Sequence, residues 1–131
     1  MKKTLVLLLS VFFLVGCNDL EKKTPENTTS KTITSEEVLQ SINNKEELVI
    51  IDVREENEYN TEHVDGAINV SVTNIESIEG KYDKDTKIIV YCRSGNRSKQ
   101  AQERLNKIGF TNVYDLGGIS SITLNKVSEE K

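Results

Sequence analysis

Cys92 opens a short segment whose residue types could hold and use a reactive sulfur. It follows an apolar run that ends at Tyr91 and precedes the loop 93–97, which contains Arg93, Gly95 and Arg97. Backbone N–H groups of such a loop, together with the helix N-terminus after it, form a cradle for an anion. The same field lowers the pKa of a thiol and favours the nucleophilic thiolate. The sequence therefore predicts that Cys92 is a nucleophile within an anion-binding loop.

A buried, inert thiol is the simplest alternative for Cys92. Unpaired cysteines that follow apolar strands often pack as small hydrophobic residues. A core cysteine would not normally be followed by Arg-Ser-Gly-Asn-Arg, so we favour the reactive thiol. Either arginine alone could still be a replaceable residue of a solvated turn.

Three short segments predict the strands that position this loop. Two are continuous apolar runs, typical of parallel strands buried on both faces: Leu48–Ile51, which ends at Asp52, and Lys87–Tyr91, which ends at Cys92. A third strand is predicted over Asn112–Leu116, followed by a turn at Gly117 and Gly118. Asp52 and Cys92 thus both stand at the carboxyl ends of predicted strands, where open α/β sheets bind ligands.

Two segments predict helices. The first begins at a capping box, with Thr34 as N-cap and Glu37 three residues later, and runs to about Asn43. Its predicted buried face consists of Val38, Leu39 and Ile42. The second runs from residue 97 or 98 to about residue 108, and Gly109 ends it. Strands that alternate with helices predict an α/β fold with a parallel sheet.

Three separated motifs resemble those of the rhodanese family. They cover residues 49–69, the Cys92 loop and residues 112–119, in the family's order and spacing, so the resemblance spans about residues 32–122. It implies a single rhodanese-like domain, with a parallel sheet flanked by helices and a thiosulfate sulfurtransferase activity. Cys92 would take sulfur from a thiosulfate-like donor as a persulfide and pass it to cyanide or a thiol.

The resemblance also implies roles for the neighbours of Cys92. The donor-binding residues would be those of the loop: Arg93, Ser94, Gly95, Asn96 and Arg97. Within this set Arg93 would help to bind the donor anion, and Arg97 would chiefly brace the loop. Asp52 and Arg54 would be structural residues beside the loop. Each could instead simply mark the end of a strand, and a direct part in the chemistry is the alternative for Asp52. His63, the chain's one histidine, would be a structural residue of a turn, and neither a metal ion nor a cofactor is expected.

Two positions depart from the family pattern. Asp65 stands where proline is common, which should matter little in a turn. The segment after Gly117 and Gly118 lacks the tryptophan-bearing helix of the family, and the whole chain contains no tryptophan. We therefore expect a closing helix that is short, weakly amphipathic or differently packed.

Two other functions are compatible with parts of this pattern. A cysteine-dependent phosphatase or arsenate reductase also places a cysteine, a backbone cradle and an arginine on one loop, but that loop is one residue longer than the four residues between Cys92 and Arg97. A non-catalytic rhodanese-like module could bind a partner or sense sulfur species, although such modules often lack the cysteine. If Cys17 is acylated, no second thiol remains to resolve a persulfide, so the sulfur must leave to an external acceptor.

The first residues are typical of an export signal. Lys2 and Lys3 precede the apolar run Leu5–Val15, and Leu14–Cys17 resembles the lipobox of bacterial lipoproteins. We predict a signal peptide over residues 1–16, an acylated Cys17 with a polar tether over 17–31, the domain over 32–128 and a charged tail over 129–131. An ordinary signal peptide or a helix lying in a membrane is the alternative.

Charge limits the partners of the mature protein. Removal of Lys2 and Lys3 reduces Lys and Arg from 17 to 15 against 21 acidic residues, which leaves about six excess negative charges. Nothing in this balance favours nucleic acid. We expect a monomer anchored through Cys17 to the cell membrane on its extracytoplasmic side, with a small sulfur donor and a cyanide or thiol acceptor as partners.

Overall fold

The computed structural model describes residues 30–129, which are built around a four-stranded parallel sheet. The strands in chain order are β1 (Leu48–Asp52), β2 (His63–Val64), β3 (Ile68–Asn69), β4 (Lys87–Cys92), β5 (Val113–Gly118) and β6 (Lys126–Val127). The main sheet has the order β3-β1-β4-β5, and β2 pairs with β6 in a separate antiparallel ribbon. The predicted signal peptide, Cys17 and most of the predicted tether lie outside the described residues.

Helices cover both faces of the sheet, as the α/β prediction required. They are α1 (Ser35–Asn43), α2 (Glu56–Thr61) and α3 (Asn96–Lys107), with 3-10 helices at Val72–Ile78 and Ile119–Ser121. The capping box at Thr34 and Glu37 is present at the start of α1. The closing helix is the three-residue 3-10 turn, so it is short, as expected. No helix within residues 30–129 is long and apolar enough to cross a membrane.

The predicted buried face of α1 was partly wrong. Val38 and Ser41 are buried, whereas Leu39 and Ile42 are 49% and 45% exposed. Val38 and Ser41 lie three residues apart on the face that meets the sheet. This nine-residue helix therefore covers the sheet with a narrow stripe only.

Side chains of β4 alternate between two hydrophobic cores, which confirms the prediction of a strand buried on both faces. Ile88, Val90 and Cys92 belong to the core beneath α3. Ile89 and Tyr91 belong to the opposite core, which contains Val38 of α1. Every residue of β4 from Ile88 onward is buried, so the strand delivers Cys92 from the interior to the carboxyl edge of the sheet.

Gly117 and Gly118 lie within β5, which corrects the prediction of a turn at this point. They pair with Tyr91 and Cys92, after an irregularity between Val90 and Tyr91. A Cβ atom on Gly118 would lie 2.7 Å from the carbonyl oxygen of Arg93. Glycine is therefore required at 118 because the backbone of the Cys92 loop approaches β5 too closely for a side chain.

The described chain enters the domain along the outer edge of β5. The N–H of Asp115 donates to the Lys31 carbonyl at 2.9 Å, and the N–H of Ile33 donates to the Asp115 carbonyl at 3.1 Å. Residues 31–33 thus lie along the outer edge of β5, the strand that contacts the Cys92 loop.

Candidate active site

Cys92 ends β4 with no solvent exposure of its own. Its sulfur accepts a hydrogen bond from the N–H of Gly95 at 3.0 Å and lies 3.5 Å from the hydroxyl oxygen of Ser98. Gly95 has a φ of 98° and is the N-cap of α3. This left-handed conformation, which glycine adopts without strain, turns the chain back over the sulfur and aims an N–H at it.

The pKa of Cys92 is lowered, although burial alone would raise it. The hydroxyl of Ser98 is the largest opposing cause, followed by the backbone N–H groups of Ser98, Gly95 and Ser94. Hydrogen bonds to the charged form of a group favour that form. The loop therefore stabilises a thiolate in a position from which water is excluded.

The remaining loop residues face solvent. Arg93, Ser94 and Asn96 are exposed, and Gly95 is half-buried. The Arg93 guanidinium makes no hydrogen bond or ion pair with any residue in 30–129 that the structure describes. It is therefore a loop cation available to an incoming anion.

Arg97 has a different arrangement from Arg93. Its two terminal nitrogens donate to the two carboxylate oxygens of Glu58 at 2.7 and 3.0 Å. Hydrogen bonding to Arg97 is the main reason that the pKa of Glu58 is lowered to about 2. Because its fork is committed to Glu58, Arg97 is not placed as the oxyanion-binding arginine that a cysteine-dependent phosphatase needs.

Asp52 and Arg54 form a buried ion pair at the carboxyl end of β1. The guanidinium of Arg54 donates to Asp52 at 2.6 Å and to the Glu62 carbonyl at 2.6 Å, which ties the strand end to the end of α2. The Asp52 carboxylate also accepts the Arg54 N–H at 2.9 Å. Within residues 30–129 neither side chain is hydrogen-bonded to the Cys92 sulfur, and the supporting role implied for them stays a prediction.

His63 has partners of its own in the second, antiparallel ribbon. Its ring stacks on Tyr59 with centroids 3.7 Å apart, and Nδ1 lies 2.8 Å from the Tyr59 carbonyl oxygen. Nε2 lies 3.8 Å from the Glu129 carboxylate. These contacts fit the structural role expected for His63.

Sequence reasoning missed three residues that shape the site: Ser98, Glu58 and Gly118. The sequence pattern marks Ser98 only as a helix start, although a hydroxyl six residues after the cysteine on the first helical turn is a signal for a contact with the sulfur. Glu58 lies 39 residues from Arg97, and no local pattern connects them. Gly118 was assigned to a turn because its contact with Arg93 depends on strand register.

Known proteins resemble both this sequence and this fold. The model of the rhodanese-like domain matches residues 34–125. Thiosulfate sulfurtransferase PspE of Escherichia coli (strain K12) is 39% identical over 79 residues, which cover 59% of this chain and 76% of the relative. Thiosulfate sulfurtransferase GlpE of Coxiella burnetii (strain RSA 493 / Nine Mile phase I) is 35% identical over 74 residues, which cover 56% and 69%.

Solved structures agree with these relatives. A structure described as rhodanese with anions from E. coli superposes with a TM-score of 0.58 at 37% identity, covering 62% of this chain and 98% of that one. The crystal structure of a thiosulfate sulfurtransferase from Pseudomonas aeruginosa gives a TM-score of 0.69 at 26% identity. The aligned region covers 78% of this chain and 21% of the Pseudomonas aeruginosa chain, which is larger.

Replacement of Ser98 by alanine is expected to raise the pKa of Cys92, because the largest cause that lowers it is removed. The midpoint of the iodoacetamide alkylation rate against pH should move to higher pH. At neutral pH the rate should fall on the order of fivefold, the factor that corresponds to about 1 kcal/mol for one hydrogen bond. Ser94→Ala is the matched control, since only the backbone of Ser94 acts on the sulfur. An unchanged midpoint in Ser98→Ala would contradict this assignment.

Proposed function

The chain belongs to the rhodanese-like domain family, and we propose from this premise that Cys92 carries the sulfur in its sulfurtransferase reaction. The supporting observation is the buried Cys92 sulfur, which accepts a hydrogen bond from the Gly95 N–H and lies 3.5 Å from the hydroxyl oxygen of Ser98. A group with a lowered pKa at the end of a parallel strand is a candidate nucleophile.

The first half-reaction breaks the sulfur–sulfur bond of the donor. The Cys92 thiolate attacks the outer sulfur of thiosulfate, a bond forms between the two sulfurs, and sulfite leaves with the electron pair of the broken bond. The terminal sulfur of the persulfide then bears the negative charge. Backbone donors of residues 94 and 95 stabilise that charge as preorganised dipoles, and Arg93 attracts the donor anion.

The second half-reaction needs an acceptor from outside the chain. Cyanide or a thiolate attacks the terminal sulfur, a new bond to that sulfur forms, and Cys92 leaves as the thiolate. Cys92 is the free cysteine of the described residues, and it is buried. Within residues 30–129 no second thiol can displace the sulfur as an internal disulfide.

A binding or sulfur-sensing module is the second candidate function. A loop that binds an anion without reacting with it would favour this second function. Here the sulfur is present and its pKa is lowered, so the site favours turnover over simple binding.

We expect residues 18–131 to form thiocyanate from thiosulfate and cyanide, and Cys92→Ser to lose this activity by at least about a thousandfold. A serine hydroxyl at this position is not ionised at neutral pH and cannot form the persulfide. The measurement is thiocyanate production at matched protein concentration.

Gln100→Ala is the matched control, since residue 100 is exposed on α3. Normal folding with no thiocyanate from any simple donor would move the proposal to the binding module. Activity retained in Cys92→Ser would exclude Cys92 as the carrier.

We infer further that the protein is held on the outer side of the cell membrane by acylation of Cys17. The support is the sequence alone: the apolar run Leu5–Val15, the lipobox-like Leu14–Cys17 and the polar stretch after it. Two or three acyl chains hold a protein stably on a membrane, whereas one does not.

The full chain expressed in a bacterium is expected to fractionate with membranes and to incorporate labelled fatty acid, and Cys17→Ser should lose both properties. Ser30→Ala serves as a control outside the predicted signal. Membrane association of the unmodified chain without any incorporation of labelled fatty acid would contradict the lipid anchor and would indicate an uncleaved signal helix.

A further inference from the structure

We propose that Glu58 is a positioning residue that sets the anion selectivity of the Cys92 site, because its carboxylate occupies both terminal nitrogens of the Arg97 guanidinium. The inference rests on the proposed sulfurtransferase function. It adds a determinant of which anions the site retains.

The Glu58 carboxylate binds the Arg97 guanidinium at two points and is itself held by a backbone N–H. Its Oε2 accepts from Arg97 Nη1 at 2.7 Å and from the Glu55 N–H at 3.0 Å, while Oε1 accepts from Arg97 Nη2 at 3.0 Å. The Arg97 and Glu58 side chains are 30% and 22% exposed, so the pair is partly shielded from water. A two-point arginine–carboxylate contact defines orientation as well as energy.

Arg97 is close enough to the sulfur for its charge to matter. It lies in the first turn of α3, directly before Ser98, whose hydroxyl oxygen lies 3.5 Å from the Cys92 sulfur. The pKa of Arg97 is raised mainly by its hydrogen bonds to Glu58, and the Cys92 charge contributes. Without Glu58, this guanidinium is a second cation at the rim of the anion cradle.

The ion pair between Glu58 and Arg97 does not depend on pH in the neutral range. The pKa of Glu58 is lowered to about 2, chiefly through Arg97, so the carboxylate stays charged until strongly acidic conditions. The helix that carries it contains no buried residue, so Glu58 can be replaced without opening a core. The pair is a fixed constraint on the loop.

A paired Arg97 should weaken the hold of the site on tetrahedral oxyanions. A free arginine fork binds sulfate-like and phosphate-like anions at two points. In this protein Arg93 and the backbone donors attract the donor, while the sulfite product meets no second guanidinium and can leave. Glu58 thereby favours turnover over retention of oxyanions.

The test is protection of Cys92 from iodoacetamide by inorganic phosphate, at constant ionic strength and neutral pH. In Glu58→Gln we expect the phosphate concentration for half-protection to fall by about tenfold, the gain from one new charge-assisted contact. Steady-state assays should show a lower KM for thiosulfate and no increase in kcat. This split separates a selectivity role from a loosened loop, which would raise KM.

Two variants control the result. Glu55→Gln removes a carboxylate that also acts on Arg97 but bonds to Ser71, and it should leave phosphate protection unchanged. The double variant Glu58→Gln with Arg97→Gln should lose the gain, because the released guanidinium is its source. If Glu58→Gln does not fold, Glu58→Asp keeps the charge on a shorter arm and should give an intermediate gain.

Unchanged phosphate protection in Glu58→Gln, or a gain that persists in the double variant, would overturn the proposal. Phosphate protection requires no sulfur transfer, so its outcome is independent of thiocyanate formation. If the unmodified protein forms no thiocyanate but Glu58→Gln shows the expected change in phosphate protection, only the proposed sulfurtransferase role of Cys92 is refuted.

Discussion

The site depends on replacing the water that a buried anionic sulfur has lost. Burial raises the pKa of a thiol, and an uncompensated charge in the interior is costly. At Cys92 the compensation comes from the hydroxyl of Ser98 and from backbone N–H groups of the loop that follows the strand. All these donors belong to seven consecutive residues, 92–98, so the conformation of this segment decides whether the sulfur is a thiol or a thiolate.

Three parts of the fold hold that segment in place. Strand β4 is buried from Ile88 onward and fixes the start of the loop at the sheet edge. Gly118 of β5 allows the loop backbone to approach to a distance that no side chain would permit. Gly95 is the N-cap of helix α3, and the pair formed by Arg97 and Glu58 joins the first turn of this helix to α2. The loop is therefore held from three separate elements while its exposed residues remain open to substrate.

Sequence patterns predicted the elements that carry strong local signals. The apolar runs 48–51 and 87–91 and the capping box at Thr34 were sufficient for β1, β4 and α1. Strands β2, β3 and β6 have two residues each, too few for any periodicity. Leu39 and Ile42 were assigned to the core because helical spacing does not reveal how much of a helix a small sheet covers.

The same difference applies to the site. The position of Cys92 within a polar loop could be predicted from consecutive residues, and the family resemblance identified its neighbours. The partners of Arg97 and Gly118 are distant in sequence and are brought together by parallel strand register and by the packing of α2. Such contacts leave no local pattern, so the restraint on Arg97 became visible only in three dimensions.

The central claim is that Cys92 itself takes up the donor sulfur. Intact-protein mass spectrometry after brief exposure to thiosulfate without any acceptor tests this most directly, followed by peptide mapping. We expect a gain of one sulfur atom per chain, located on the peptide with Cys92 and removed by cyanide. A chain that gains no sulfur while it still produces thiocyanate would exclude Cys92 as the carrier, because transfer would then proceed without the persulfide.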